Sequence, residues 1–104
     1  MQVKWDKRAM KRLDKATEYG LYKFGEITSI RFYQKIRSYD SLLAEHPRLG
    51  KVEPLLIGRR FEYRSLVVHE HYKLIYYINE VKGRIVVADF WDVRQEPQHL
   101  AEEV

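Results

Sequence analysis

The spacing of apolar residues near the start of the chain predicts an amphipathic helix over residues 7–24. Apolar or small side chains recur there every three or four positions, which keeps them on one helical face. The stripe consists of Ala9, Leu13, Ala16, Gly20 and Phe24. Asp6 can cap the start of this helix by accepting from its first free amides, and Gly25 supplies a stop.

A second apolar stripe predicts another helix over residues 27–43. Its members are four, three and four positions apart: Phe32, Ile36, Tyr39 and Leu43. The helix should end at His46, because the residue before Pro47 avoids helical backbone geometry. Only Gly25 and Glu26 separate the two predicted helices, so we expect an antiparallel helical hairpin.

After Pro47 the pattern changes to runs of β-branched and aromatic residues that are typical of strands. Three such runs cover residues 61–68, 71–78 and 84–91, and a short one at residues 3–5 precedes the first helix. The short links between the later runs favour an antiparallel meander. The order β-α-α-β-β-β therefore predicts one α+β domain, residues 1–104, with the hairpin packed on one face of a mainly antiparallel sheet.

Alternation in the middle run assigns the two faces of this sheet. Tyr72, Leu74, Tyr76 and Ile78 should face the helices, which leaves Lys73 on the other, open face. We expect largely buried side chains at Leu13, Ala16, Phe32, Ile36, Leu74, Tyr76, Val87 and Phe90. Strict alternation along the last strand places Phe90 and Val87 on opposite faces of the sheet. Burial of both therefore requires a bulge or a second covered face. The last strand is also expected to leave an edge where a peptide can add.

Composition narrows the chemistry. The chain has no cysteine, which excludes disulfides and thiolate metal sites, and no zinc-ligand spacing or glycine-rich phosphate loop is present. We expect no metal and no cofactor. Without a leader or an apolar run of about 18 residues, a soluble cytoplasmic protein with no membrane partner is expected. The net charge of +4 favours an acidic partner, either nucleic acid or protein.

Several segments, in this order, resemble the RelE/ParE superfamily of toxins. Pro47-Arg48-Leu49-Gly50 is similar to the loop after the second helix of ParE-type toxins. Tyr63-Arg64-Ser65-Leu66 and Tyr72-Lys73-Leu74-Ile75-Tyr76-Tyr77 are similar to the two central strands, and Asp92-Val93-Arg94-Gln95-Glu96-Pro97 to the basic motif that closes the last strand. The likeness runs from Val3 to about Leu100. Many relatives carry two arginines in the last motif, whereas this chain has only Arg94, and no tyrosine follows Tyr77.

This resemblance implies the toxin half of a bacterial type II toxin–antitoxin, or plasmid stabilisation, system. A ParE-like member inhibits a target such as DNA gyrase by binding it and is not a catalyst. A RelE-like member is a ribosome-dependent mRNA endonuclease that needs no metal, and a third alternative is a non-toxic member that only binds its partner. The implied partner is a cognate antitoxin, and the expected assemblies are a homodimer or a heterotetramer with that antitoxin.

Two sets of candidate site residues follow. If the chain is RelE-like, its catalytic set is Arg64, Lys73, Arg94 and His99, with the first three expected to converge on the open sheet face. The partner-binding set is Lys7, Arg8, Lys11, Arg12 and Tyr77. The basic run on the first helix suits either nucleic acid or an acidic antitoxin segment.

Overall fold

The computed structural model describes all 104 residues. In chain order the elements are β1 (Gln2–Trp5), α1 (Lys7–Phe24), α2 (Glu26–Glu45), β2 (Lys51–Val52), a 3-10 turn (Pro54–Leu56), β3 (Tyr63–His69), β4 (Tyr72–Asn79), β5 (Arg84–Asp92) and α3 (Pro97–Glu103). None of the helices combines the length and the apolar character that crossing a membrane requires.

The two long helices form where the apolar stripes and the capping residues place them. The Asp6 side chain accepts a hydrogen bond from the amide of Arg8 at the start of α1, as predicted. Gly25 ends α1 with a φ of 87°, a conformation that glycine adopts without steric cost, and its amide donates to the carbonyl of Leu21. The second helix is longer than predicted, by one residue at its start and two at its end.

The five strands form one sheet in the order β1-β5-β4-β3-β2. β1 runs parallel to β5, and every other pair is antiparallel. The prediction that the last strand is a sheet edge holds only for its second half, because β1 pairs with residues 84–87 and leaves residues 88–92 without a strand on that side. The edges of the sheet are β1 with this part of β5 on one side and, on the other, β2 with the part of β3 that β2 does not cover.

The helical hairpin covers one face of the sheet, where the main core lies. Six of the eight predicted core side chains are buried, and Ala16 and Phe32 are half-buried at its margin. Ile75 pairs with Asp89 and Tyr76 with Val87, so Ala88 is an extra residue in β5. This bulge restores the alternation one position later and lets Val87 and Phe90 face the helices together, which is the condition stated for the burial of Phe90.

The opposite face of the sheet is only partly open. Near one end it carries a second, smaller core in which α3 and the 3-10 turn cover the strands; its members are Leu56, Ile75, Trp91 and Leu100. The prediction of a wholly free face is therefore wrong. The C-terminal segment forms α3 and returns to the sheet, because Leu100 is an apolar side chain with a hydrophobic surface to bury.

The loop after α2 is held by a buried tyrosine. The hydroxyl of Tyr76 donates to the carbonyl of Pro47 and accepts from the amide of Gly50, both at 2.8 Å. The guanidinium of Arg64 donates to the carbonyl of Gly50, also at 2.8 Å. Burial raises the pKa of Tyr76, so the neutral hydroxyl that serves as both donor and acceptor is the form that persists.

Removing this hydroxyl should measurably weaken the fold. Tyr76→Phe keeps the ring but leaves a buried amide and a carbonyl without their partner, which costs about 1–3 kcal/mol of unfolding free energy. Urea unfolding followed by circular dichroism measures the change. Tyr22→Phe is the matched control, because Tyr22 is 86% exposed. Equal stabilities of the two variants would contradict the anchoring role.

Candidate functional site

Arg64 and Lys73 lie on opposite faces of the sheet. Arg64 pairs across the strands with Tyr76, whose side chain faces the helices, whereas Lys73 pairs with Trp91 on the other face. The guanidinium of Arg64 donates to the carboxylate of Glu62 at 3.0 Å, in addition to its bond with the loop. The ammonium of Lys73 contacts the carboxylate of Glu53, which is only 3% exposed. Each cation is therefore already neutralised by its own carboxylate.

Arg94 lies at the other end of the sheet from Arg64. Arg94 follows β5, and its exposed guanidinium donates two hydrogen bonds of 3.0 and 2.8 Å to the Asp92 carboxylate. These bonds lower the pKa of Asp92 below its ordinary value and raise that of Arg94. Asp92 pairs with Tyr72 and Arg64 with Tyr76, so the two sites are about 13 Å apart along the strand. The predicted convergence of Arg64, Lys73 and Arg94 is wrong.

His99 is exposed on α3. Its backbone amide donates to the carbonyl of Glu96, and its side chain makes no hydrogen bond. The structure thus assembles no group of base, acid and phosphate-binding cations around the four residues of the catalytic set. The role of each residue stays a prediction, and Arg94 and His99 are the two whose side chains are exposed to another molecule.

Arg94→Ala tests that role without disturbing the fold. The Arg94 side chain is exposed and is held mainly by the nearby Asp92, so the variant should keep the wild-type unfolding midpoint. The resemblance implies that expression of the wild-type chain arrests growth, and we expect the variant to relieve that arrest, scored by colony counts after induction. Unchanged toxicity in a folded Arg94→Ala variant would remove Arg94 from the site.

A cavity of about 300 Å³ opens between the helical hairpin and the sheet, close to Arg94. Its lining is partly aromatic and includes Tyr19, Phe24, Phe32 and Tyr72. We call it the hairpin groove. His69 also lines it; burial and the neighbouring His71 lower the pKa of His69, which keeps its ring neutral near pH 7.

Two arginines of the basic run on α1 are engaged by other residues of the chain, whereas its lysines are not. Arg8 and Arg12 point toward α3: Arg8 donates to the carbonyl of Glu103, and Arg12 binds the carboxylates of Asp89 and Glu103 at 2.8 and 2.9 Å. Arg8 and Arg12 are therefore engaged by the chain's own carboxyl end, although they also line a cavity with the lysines of α1, and their part in partner binding stays a prediction. Lys7 and Lys11 form no ion pair and share a separate groove with Tyr77.

A family comparison decides what kind of protein this is. The model described as "ParE toxin of type II toxin-antitoxin system, parDE" matches residues 3–97. The chain belongs to this family. A solved structure titled "Chromosomal ParDE TA system from P. aeruginosa" has the same fold, with a TM-score of 0.72 and 17% identity over 89% of this chain and 96% of that one. No curated protein matches the sequence.

The structure of this ParE-family chain also draws attention to two charged residues that the sequence analysis did not single out, Asp89 and Arg84. Asp89 is fully buried in β5; burial raises its pKa, while the adjacent Arg12 opposes that rise. The sequence did carry a signal for Asp89, because this acidic residue interrupts the otherwise apolar run of β5. Arg84, which lines the groove of Lys7 and Tyr77, had no such signal, because a cation at the start of a strand is common on protein surfaces.

Proposed function

We propose that this ParE-family chain arrests growth by binding an essential enzyme, with DNA gyrase as the target that its ParE-like character favours. The observation that supports a binding protein over an endonuclease is the separation of Arg64, Lys73 and Arg94, each engaged by a different carboxylate. Cleavage of RNA without a metal needs several such groups around one phosphate. The RelE-like alternative loses the convergence on which it depended.

We also propose that a cognate antitoxin neutralises the chain by covering the hairpin groove. The hairpin end beside it exposes large apolar side chains: Tyr22 is 86% exposed, and Phe24 and Ile27 are each 68% exposed. Several exposed large apolar side chains at one end of a hairpin favour a protein interface there. A segment that folds on binding must bury a large area to offset its ordering entropy, and an acidic one would also find Lys15 and Arg94 nearby.

Induced expression in a bacterium separates the functional alternatives. We expect a DNA damage response that precedes any loss of protein synthesis, and inhibition of gyrase supercoiling by the purified chain. Immediate arrest of translation with intact supercoiling would instead support a ribosomal target. A chain that is harmless when overexpressed and co-purifies with no product of a neighbouring gene would overturn the toxin–antitoxin assignment.

Phe24→Asp tests the placement of the antitoxin. A carboxylate at this exposed position should repel an acidic segment and remove apolar contact, so rescue by the co-expressed antitoxin should fail while toxicity persists. Val81→Asp, at a side chain that is 98% exposed on the β4–β5 turn, is the matched control and should still be rescued. Rescue of both variants would place the antitoxin elsewhere.

A further inference from the structure

A broad groove at the start of α1 concentrates cations that have no partner. It encloses about 1000 Å³ between the beginning of α1 and the open part of the sheet. Its cations are Lys4, Lys7, Lys11 and Arg84, and none of them forms an ion pair, although Asp6 and Asp14 also line the groove. We call it the basic groove. Four cations against two carboxylates leave it positively charged, and Asp6 is already occupied in capping α1.

Arg84 is the most informative of these residues. Its Nε atom is buried without a hydrogen-bond partner, and it is the only side-chain nitrogen or oxygen in the chain in that condition. By contrast, Arg12, Arg64 and Arg94 each bind a carboxylate. A buried donor without an acceptor is costly, and the chain itself gives this guanidinium no partner. Arg84 lines the groove, where a ligand oxygen can bind the side chain.

Aromatic rings adjoin these cations. Tyr77 lines the basic groove and stacks on Phe61, with ring centroids 4.1 Å apart, while Tyr63 meets its edge at 5.3 Å. The guanidinium of Arg60 lies 5.3 Å from the Phe61 ring. Rings beside a cationic channel are the arrangement by which proteins bind single strands, since bases stack on the rings and phosphates meet the cations. An acidic peptide would use the cations but not the rings.

We propose that the basic groove binds single-stranded nucleic acid, with backbone phosphates on Lys4, Lys7, Lys11 and Arg84 and a base on Tyr77. The groove lies at the opposite end of α1 from the hairpin groove. On α1 the basic groove is lined by residues 7–14 and the hairpin groove by residues 16–24, so the two grooves share no lining residue of this helix. The site requires neither gyrase nor an antitoxin, and its failure would leave the proposed function standing.

Fluorescence polarisation of the purified full chain with a labelled oligothymidylate of about 15 nucleotides tests the proposal. We expect saturable binding with a Kd of roughly 1–100 μM at physiological salt, tightening as the salt concentration falls. Lys7→Gln with Lys11→Gln should weaken binding about tenfold and reduce the slope of log K against log salt by about 1.4. Arg84→Gln and Tyr77→Leu should each weaken it about fivefold or more, with melting curves confirming the fold.

The control variant removes two cations from elsewhere. Lys35 and Lys82 are exposed and form no ion pair, so Lys35→Gln with Lys82→Gln changes net charge equally and should alter the Kd less than about twofold. An equal loss in this control would show diffuse attraction and overturn the site. Equally tight binding of a duplex, of ATP or of polyglutamate would overturn the single strand as its ligand, as would the absence of saturable binding.

Discussion

Replacing Gly50 by alanine should destabilise the chain by about 3–5 kcal/mol, combining overpacking with the loss of two hydrogen bonds. Gly50 does not have a positive φ, so the cause is lack of space. An added Cβ would lie 2.7 Å from the carbonyl oxygen of Ser65 and 2.8 Å from the ring of Tyr76. Neither neighbour can move freely, because one is strand backbone and the other is fully buried.

Gly20→Ala is the control for that variant. An added Cβ at Gly20 has nothing within 4 Å, and alanine is the better helix former, so this variant should gain about 0.5–1 kcal/mol. Chemical unfolding of both variants gives the comparison. If Gly50→Ala lowers the unfolding free energy by less than about 1 kcal/mol, the loop shifts away from Tyr76. Its contact with the sheet is then not a fixed feature of the fold.

The sequence predicts α1 well because local signals determine it. Its apolar stripe, the Asp6 cap and the Gly25 stop all act within the segment itself, and the observed bounds agree. The strands were placed to within about two residues for the same reason. By contrast, β2 has only two residues and α3 only seven, so neither is long enough to show a period.

The candidate site was harder to predict because it depends on strand register. Alternation within β4 correctly put Lys73 on the face away from the helices, but it does not tell which residue of β3 lies opposite Tyr76. That residue is Arg64, which therefore points toward the helices and the Gly50 loop. Likewise, no local sequence pattern marks the bulge at Ala88. This bulge determines that Phe90 faces the helices and that Asp89 lies on the opposite face of the sheet.

Arg12→Gln should cost about 3 kcal/mol at pH 7, because it leaves the carboxylate of Asp89 buried without its charge partner. Asp89 is fully buried, and Arg12 holds both of its oxygens at 2.9 and 2.8 Å. The expected loss is at the lower end of the range for buried pairs, since the Arg12 side chain is 31% exposed. Adding Asp89→Asn removes the stranded charge and should restore part of the lost stability.

The pH dependence of this loss identifies Asp89 as its source. Burial already raises the pKa of Asp89 above 3.8, and removing Arg12 raises it further. A raised carboxyl pKa means that folding favours the protonated form, so its contribution to stability is full below pH 3.8 and is lost as pH rises through the folded pKa. The deficit of Arg12→Gln against wild type should therefore shrink between pH 7 and pH 4 in urea unfolding.

Arg48→Gln, which breaks an exposed pair with Glu80, should change stability by less than about 0.5 kcal/mol at pH 7. A deficit of Arg12→Gln that stays constant with pH would mean that the buried Asp89 charge does not cause the loss.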